Sequence, residues 1–377
     1  MTSTFYPPHH LGGDAVHVKY LASELTKMGH EVHVMYSRDA YRLKRKDPSG
    51  DSDNGTVHVH ALDSPFGRLT PMRVYAFGKS NFILRNYRKL ISDVKPDVVH
   101  HHNISLLGHE LLRKCGEYRQ MYTAHDYWIL CQRNDLMRNG RICEDKHCKS
   151  CALSSSKPPQ LWRRKMDLSG IDCLICPSQY MANKLAYLGR PLTVIPNFVP
   201  PPPDTIADID NPGYFLYLGV LEPHKGIKEL LKAFAGNRQR LILVGRGSLA
   251  EYVNREIAKN KLSPRIQYKG WAEDKWPLLK GACALILPSL WPENSPLSVL
   301  EAMSVGTPTF CTDMGGTKEI VEKIPGGLVI PAKDIEIRLR DITIHAISKE
   351  SIIKAYQVHF SAEKYINDYL EIARNCS

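Results

Sequence analysis

Apolar positions along the chain alternate between two periods. Residues 12 to 36, GGDAVHVKYLASELTKMGHEVHVMY, open on a glycine pair and place Val16, Leu21, Leu25 and Met28 at helical spacing. They stop at Gly29 and pass into the alternation of EVHVMY. A 3.6-residue period followed by a two-residue one predicts a helix and then a strand, as in the opening of a doubly wound α/β unit. The first strand should precede the glycines, where only TSTFY remains. Either the true start lies upstream of Met1 or this is a short edge strand. Further strands are predicted at PDVVHHH (96 to 102), QMYTAH (120 to 125), IDCLICPS (171 to 178) and LTVIPN (192 to 197), with helical patterns between most of them.

The proline-rich, polar segment PNFVPPPPDTIADIDNP (196 to 212) reads as a domain boundary. Beyond it the alternation restarts. YFLYLG, RLILVG, IQYKG, ALILPS and TPTFCT are strand patterns, and HKGIKELLKAF, LAEYVNREIAKN, WPLLKGA and SPLSVLEAMSVG are helical ones. Strands alternating with helices on both sides of one linker predict two Rossmann-like α/β domains with parallel sheets, over residues 1 to 200 and 201 to 360. Ligands of such sheets bind beyond the carboxyl ends of the strands. With two such domains, the expected site is a central cleft that both sheets face.

That rule singles out ALILPSLWPENSPLSVLEAM, where a buried strand (284 to 289) ends, a loop carries Glu293 and Asn294, and a helix follows. Ser295 is the expected N-cap and Pro296 the first helical residue. Free amides around Leu297 and Ser298, at the positive end of the helix dipole, suit an anion such as a diphosphate. Glu301 falls among Leu297, Val299, Leu300, Ala302 and Met303, where a carboxylate without donors would be costly to bury. A ligand's vicinal hydroxyls would serve it, and so would a nearby lysine or arginine. Glu293 could equally do no more than complement the helix dipole.

Composition gives 43% hydrophobic residues, enough for sizeable cores. No stretch reaches the roughly 18 uninterrupted apolar residues of a membrane span. The start MTSTFYPPHH lacks the layout of a signal peptide, so the expectation is a cytoplasmic protein. The net charge of +11 is uneven: residues 1 to 200 hold 28 basic against 18 acidic residues, the remainder 22 against 21. The runs YRLKRK (41 to 46) and WRRK (162 to 165) suit phosphates on an anionic membrane, an anionic acceptor or nucleic acid; each could also be a plain solvated face. The rival they raise, a zinc-stapled nucleic-acid-binding protein, lacks any recognisable nucleic-acid module, so nucleic acid is not an expected partner.

Four of the ten cysteines, Cys131, Cys143, Cys148 and Cys151, fall within 21 residues. In a cytosolic chain a four-thiolate zinc clip is one reading, and free thiols or a disulfide are the others. The terminal CxxC fits zinc, but the preceding spacings are not those of a zinc ribbon. Cys173 and Cys176 sit in a buried-strand pattern and read as core.

The run ENSPLSVLEAMSVGTPTFCTDMGGTKEIV resembles the signature of glycosyltransferase family 4. It matches in the spacing of Glu293 and Glu301, the Ser-Pro step, Gly306, Pro308 and the pair Gly315-Gly316. The resemblance implies a GT-B fold and a retaining transferase using a nucleotide-sugar donor. Glu293 would then lie at the reaction centre and Glu301 on the ribose hydroxyls, with Asn294, Ser295, Pro296 and Leu297 on the donor. GVLEPHKGIKELLKAF puts Lys225 before a helix, where it would neutralise the departing phosphate.

The family usually has an arginine where this chain has Val220, and Arg246 in LVGRGSL is the candidate substitute. The Gly12-Gly13 loop resembles the glycine loop that approaches the donor phosphates, glycine being apt because it admits close approach and positive φ. TAHDYW resembles the segment whose histidine, here His125, orients the donor sugar; His100, His101 and His102 are weaker candidates for an acceptor side.

Further implications are same-face attack by an acceptor hydroxyl, with the phosphate itself as base, no catalytic metal or other cofactor, and no hydrolytic carboxylate pair. The last segment, 361 to 377, whose helix pattern FSAEKYINDYLEIARN begins at Phe360, would pack back on the first domain. The expected partners are a UDP- or GDP-sugar donor and a glycan or lipid-phosphate acceptor, with peripheral contact at the inner face of an anionic membrane. A GT-B sugar-nucleotide epimerase, which needs no acceptor, is the rival enzyme.

Overall fold

The computed structural model describes every residue except 49–54, 139, 145–147, 155–157, 211, 264, 344–346 and 376–377. The chain divides into two compact units. One comprises 1–138, 143–196 and 365–377, the other 139–142 and 197–364. The first boundary falls before Asn197 rather than at 200. The Asn197 amide donates to Ser295 Oγ (3.0 Å), its side-chain amide donates to Ser295 O (2.8 Å), and the Tyr356 hydroxyl donates to Val199 O (2.8 Å), so the proline-rich segment is drawn into the second unit.

In the second unit six parallel strands lie in the order Ile266–Tyr268, Leu241–Val244, Tyr214–Leu218, Ala282–Leu287, Thr309–Thr312, Leu328–Ile330. The order reverses beside Tyr214–Leu218, the doubly wound arrangement whose switch point is a ligand crevice. Strands such as Leu241–Val244 are buried on both faces, as parallel strands between helical layers must be. The helix Ile227–Ala235 turns Ile227, Leu230, Leu231 and Phe234 onto Phe215 and Leu243, an i, i+3, i+4, i+7 stripe.

In the first unit Val98–His101, Arg119–Thr123, Cys173–Cys176 and Leu192–Val194 form a parallel sheet, and His33–Ser37 pairs in parallel with His58–Leu62. Thr2 bridges both Met35 and His101. The amides of Met35 and His102 bond to the carbonyls of Met1 and Thr2. The segment expected at an edge therefore lies inside the sheet, and its small polar residues Thr2, Ser3 and Thr4 are buried.

The helix Gly13–Lys27 buries Ala15, His17, Val18, Leu21, Ala22 and Leu25. Its inward face is rotated from the expected one, leaving Val16 half-buried and Met28 exposed, because His17 is taken into a polar cluster. The last helix, Ala362–Asn375, contributes Tyr365 onward to this unit and buries Tyr365, Ile366 and Tyr369.

Candidate active site

In the second unit the strand Ala282–Leu287 ends at Pro288 and Ser289, and two loops are fixed against that end. The Leu290 amide bonds to His224 O (2.8 Å). Gly226 takes φ +71°, and a Cβ there would sit 1.9 Å from Pro288 O. Only glycine allows this approach, and it lays the Lys225 turn on the strand end that leads to Glu293. On the other side Gly315 takes φ +76°, where a Cβ would meet Glu293 O at 2.2 Å, and the Gly316 amide bonds to that carbonyl at 2.6 Å. The glycine pair therefore clamps the Glu293 backbone.

Glu293 is buried, and its Oε1 accepts from Lys225 Nζ and from Ser289 Oγ (2.7 Å). Burial raises this carboxyl group's pKa, but the Lys225 ammonium and these hydrogen bonds outweigh burial and hold it below its usual value. Lys225 also lies 5.0 Å from the centroid of the Trp291 ring, a cation–π contact.

The helix begins one residue later than expected. It spans Leu297–Ser304 with Pro296 as N-cap, and no side chain caps it. Ser295 does not cap it because its Oγ accepts from Asn197 instead. Glu301 is buried on this helix, and its Oε1 receives Lys275 Nζ at 2.6 Å. Of the two partners open to Glu301, the structure supplies the lysine. Asn294 is buried beside Glu293.

Arg246 is exposed, with its guanidinium carbon 5.6 Å from the Trp271 ring centroid, while its backbone carbonyl accepts from Leu221 N (2.9 Å). The turn bearing Arg246 thus lies on the 219–222 loop, next to the half-exposed Val220.

The first unit gathers a different cluster. Gly12 and Gly13 open the helix Gly13–Lys27 without positive φ; Gly12 is its extended N-cap. The expected left-handed backbone is absent because an N-cap is extended, and what their lack of a side chain gives is open backbone at the helix start. His102 Nδ1 and His125 Nε2 are hydrogen-bonded at 3.0 Å, His17 packs on His125 with ring centroids 5.1 Å apart, and His17 Nε2 bonds the Tyr365 hydroxyl (3.2 Å). His100 bonds Thr123 (2.8 Å) and stacks on Tyr369, and His101 bonds Thr2 (2.7 Å).

Burial lowers the pKa of all five imidazoles: His17, His100 and His102 fall well below the usual value, His101 to about 3 and His125 to about 4. Beside them Asn103 donates to Asp14 (2.9 Å) and Asp126 (3.5 Å), and burial pushes Asp126 up to about 7.

The thiols of Cys131, Cys143, Cys148 and Cys151 lie in one neighbourhood, since burial and then Cys131, Cys151 and Cys148 raise Cys143. Cys131 Sγ accepts from the Arg133 amide (3.4 Å). Among the described residues no three of these sulfurs reach the mutual spacing of metal ligands; Glu31, His33 and His58, at the outer strand pair of this unit, do. Cys173 and Cys176 are fully buried in their strand.

Sequence reasoning missed Lys275, Ser289, Asp14, Asn103, Tyr365 and Tyr369. The tyrosines did carry a signal, because they fall on the apolar face of the last helix. Lys275 and Ser289 carried none, since only the fold brings them to Glu301 and Glu293.

Two α/β units with parallel sheets, the second with buried Glu293 ion-paired to Lys225 at its strand ends, define the class: a GT-B glycosyltransferase. The chain belongs to Glycosyltransferase Family 4, whose model matches residues 11–201, and the model for glycosyl transferases group 1 matches 205–351. It is 25% identical over 400 residues to an uncharacterized 42.6 kDa protein in the cps region of Klebsiella pneumoniae, covering 98% of each chain. It is 26% identical over 145 residues to the UDP-Gal:alpha-D-GlcNAc-diphosphoundecaprenol alpha-1,3-galactosyltransferase of Escherichia coli, covering 36% of this chain and 37% of that one. Among solved structures it is similar to Anabaena HepE in complex with UDP, with a TM-score of 0.66 at 15% identity, covering 98% of this chain and 97% of the other. No helix among the described residues is long and apolar enough to cross a membrane.

Proposed function

We propose that this glycosyltransferase moves a hexosyl unit from a nucleotide-sugar donor, with retention of configuration, onto a glycan or lipid-linked acceptor. The observation that carries the reading is Glu293, buried and charged against Lys225 and Ser289 at a strand end. A carboxylate kept ionised next to a cation and a helix N-terminus suits a site where phosphate charge leaves and positive charge develops on a sugar.

Lys225 stabilises the departing phosphate together with the amides at the start of Leu297–Ser304. Arg246 supplies the second cation in place of the arginine that Val220 lacks. Glu301, oriented by Lys275, takes the ribose hydroxyls. In the first unit Gly12 and Gly13 approach the phosphates, and His125, kept neutral, bonds a sugar hydroxyl. No catalytic metal enters these steps. For the cysteine loop a structural zinc ion stands beside free thiols and a disulfide as one of three readings, and it would need the four sulfurs to draw closer than they lie; metal content well below one equivalent in protein purified without added zinc would remove it.

Among UDP- and GDP-sugars we favour a UDP-sugar, and a lipid-linked acceptor, on the UDP bound in one similar structure and the UDP-sugar and lipid-diphosphate acceptor in one relative's name. Thermal stabilisation by UDP-, GDP- and ADP-sugars, followed by transfer assays and NMR of the product's anomeric proton, tests the reading. Stabilisation by no sugar nucleotide, or an inverted product, would overturn it.

A further inference from the structure

Four large apolar side chains, Phe66, Leu69, Met72 and Phe77, stand 55–64% exposed within twelve residues. Single exposed apolar residues are ordinary, but a contiguous set marks a contact surface. Three of them lie on the helix Leu69–Phe77, whose other face, Thr70, Pro71 and Val74, is buried.

The segment is fastened at both ends. Before the helix, Arg38 bonds Asp63 (3.0 Å), Arg42 also pairs with Asp63, the Ser64 amide donates to Asp39 (2.7 Å), and Ser64 Oγ meets Thr70 Oγ1 at 2.6 Å. After it, Gly78 takes φ +77°, with space for a Cβ filled by Trp162 at 2.4 Å. The Trp162 indole N–H donates to Tyr75 O (3.1 Å) while its ring stacks on His109. The apolar face is therefore held outward by specific contacts.

The same fastenings bring both basic runs to this helix. The helix Arg38–Arg42 packs against it and leads into exposed Lys44, Arg45 and Lys46; Trp162 brings exposed Arg164 and Lys165; Arg68 and Arg73 are exposed within the segment itself. Arg38, Arg42 and Arg163 are spent on internal partners, namely Asp39, Asp47, Asp63 and the carbonyls of Trp128 and Cys131. The other seven basic residues form no ion pair among the described residues.

We propose that the Leu69–Phe77 helix and the basic residues around it are a docking surface for an anionic lipid leaflet. An apolar face set among unpaired cations is the pattern of an interfacial helix. A second copy of the chain fits poorly, because a two-fold contact through this face would set cation against cation. The proposal rests on the lipid-linked acceptor reading, for which it gives the enzyme a place at the bilayer.

The test is co-sedimentation of the full chain with phosphatidylcholine vesicles, alone or with one third phosphatidylglycerol, at low and physiological salt. Wild type is expected to pellet only with the anionic vesicles. Arg68→Glu with Arg73→Glu should weaken binding at least about tenfold, since each basic residue near such a surface contributes about fivefold. Leu69→Ser with Phe77→Ser should weaken it comparably and make the remainder more salt-sensitive, while Ile337→Ser, an exposed apolar residue of the second unit, changes nothing.

Absence of binding by wild type, or binding by both double variants that equals that of wild type, overturns the proposal. So does sedimentation showing a dimer that Leu69→Ser with Phe77→Ser dissolves. Thermal stabilisation by a sugar nucleotide is measured in parallel. Stabilisation without vesicle binding sinks the docking surface and leaves the functional reading, and vesicle binding without stabilisation does the reverse.

Discussion

Beyond the strand Ala282–Leu287 a carboxylate is buried with its charge kept, whereas around the ends of Val98–His101 and Arg119–Thr123 buried His17, His100, His101 and His102 and half-buried His125 are held neutral. Burial opposes charge in both places. The second unit answers it with a cation and a hydroxyl on Glu293. The first unit offers His102 and His125 each other and His17 a tyrosine, and the one carboxylate acting on His125, Asp14, raises the His125 pKa by less than burial lowers it. The two strand ends therefore differ in electrostatic character, one keeping a charge and the other keeping neutral hydrogen-bonding groups, which is the difference the proposed roles draw on.

The strongest way to break the contrast is to remove one member of the charged pair. Lys225→Ala and Glu293→Gln should each lower kcat by about a hundredfold or more, with circular dichroism unchanged. Lys225→Ala should in addition cost about 3 kcal/mol in urea unfolding, because it leaves a buried carboxylate unpaired. Wild-type turnover in both variants would dissolve the distinction.

Acid comes next. His101 and His125 titrate near 3 and 4 in the folded chain and near 6.5 when unfolded, so between these values the unfolded chain binds more protons. The stability these histidines give is full above pH 6.5 and is lost as pH falls towards 4. Asp126, pushed up to about 7, acts in the opposite sense but stands alone against five histidines. The melting temperature followed from pH 7 to 4 should drop steeply, and His102→Asn with His125→Asn should flatten that drop. A flat wild-type profile would mean the imidazoles are hydrated.

Smaller is Gly315→Ala, which sets a Cβ against the Glu293 carbonyl at a positive φ. It should cost about 1–3 kcal/mol and lower kcat while leaving sugar-nucleotide stabilisation in place. Smallest is Tyr365→Phe, which removes one hydrogen bond to His17 and should cost about 1 kcal/mol in urea unfolding.

The strands and helices of the second unit were legible nearly element by element, because long apolar runs such as LILV and ALIL have no other stable use. The candidate cluster was legible only in part. Glu293 and Lys225 stand in loops at strand ends, where sequence order already points to ligands. Ser289 and Lys275 become visible only when non-adjacent segments meet. Ser295 was misassigned as a cap because the competing donor, Asn197, lies 98 residues away. The segment Met1–Thr4 escaped as an inner strand because its residues are small and polar, and only its neighbours Met35 and His101 define its place. The glycines at 12 and 13 look like turn formers in sequence, yet their backbone is ordinary.

The contact between His17 and Tyr365 joins residues 348 positions apart. On the ribosome, residues 197–364 have emerged in full before the first unit receives its final helix. Domains tend to fold as units during synthesis, so the second-born part of this enzyme finishes before the first-born. Until then His17 and His100 lack the tyrosines that cover them. A chain cut before Tyr365 would therefore strand the amino-terminal half, the part made earliest, in an unfinished state.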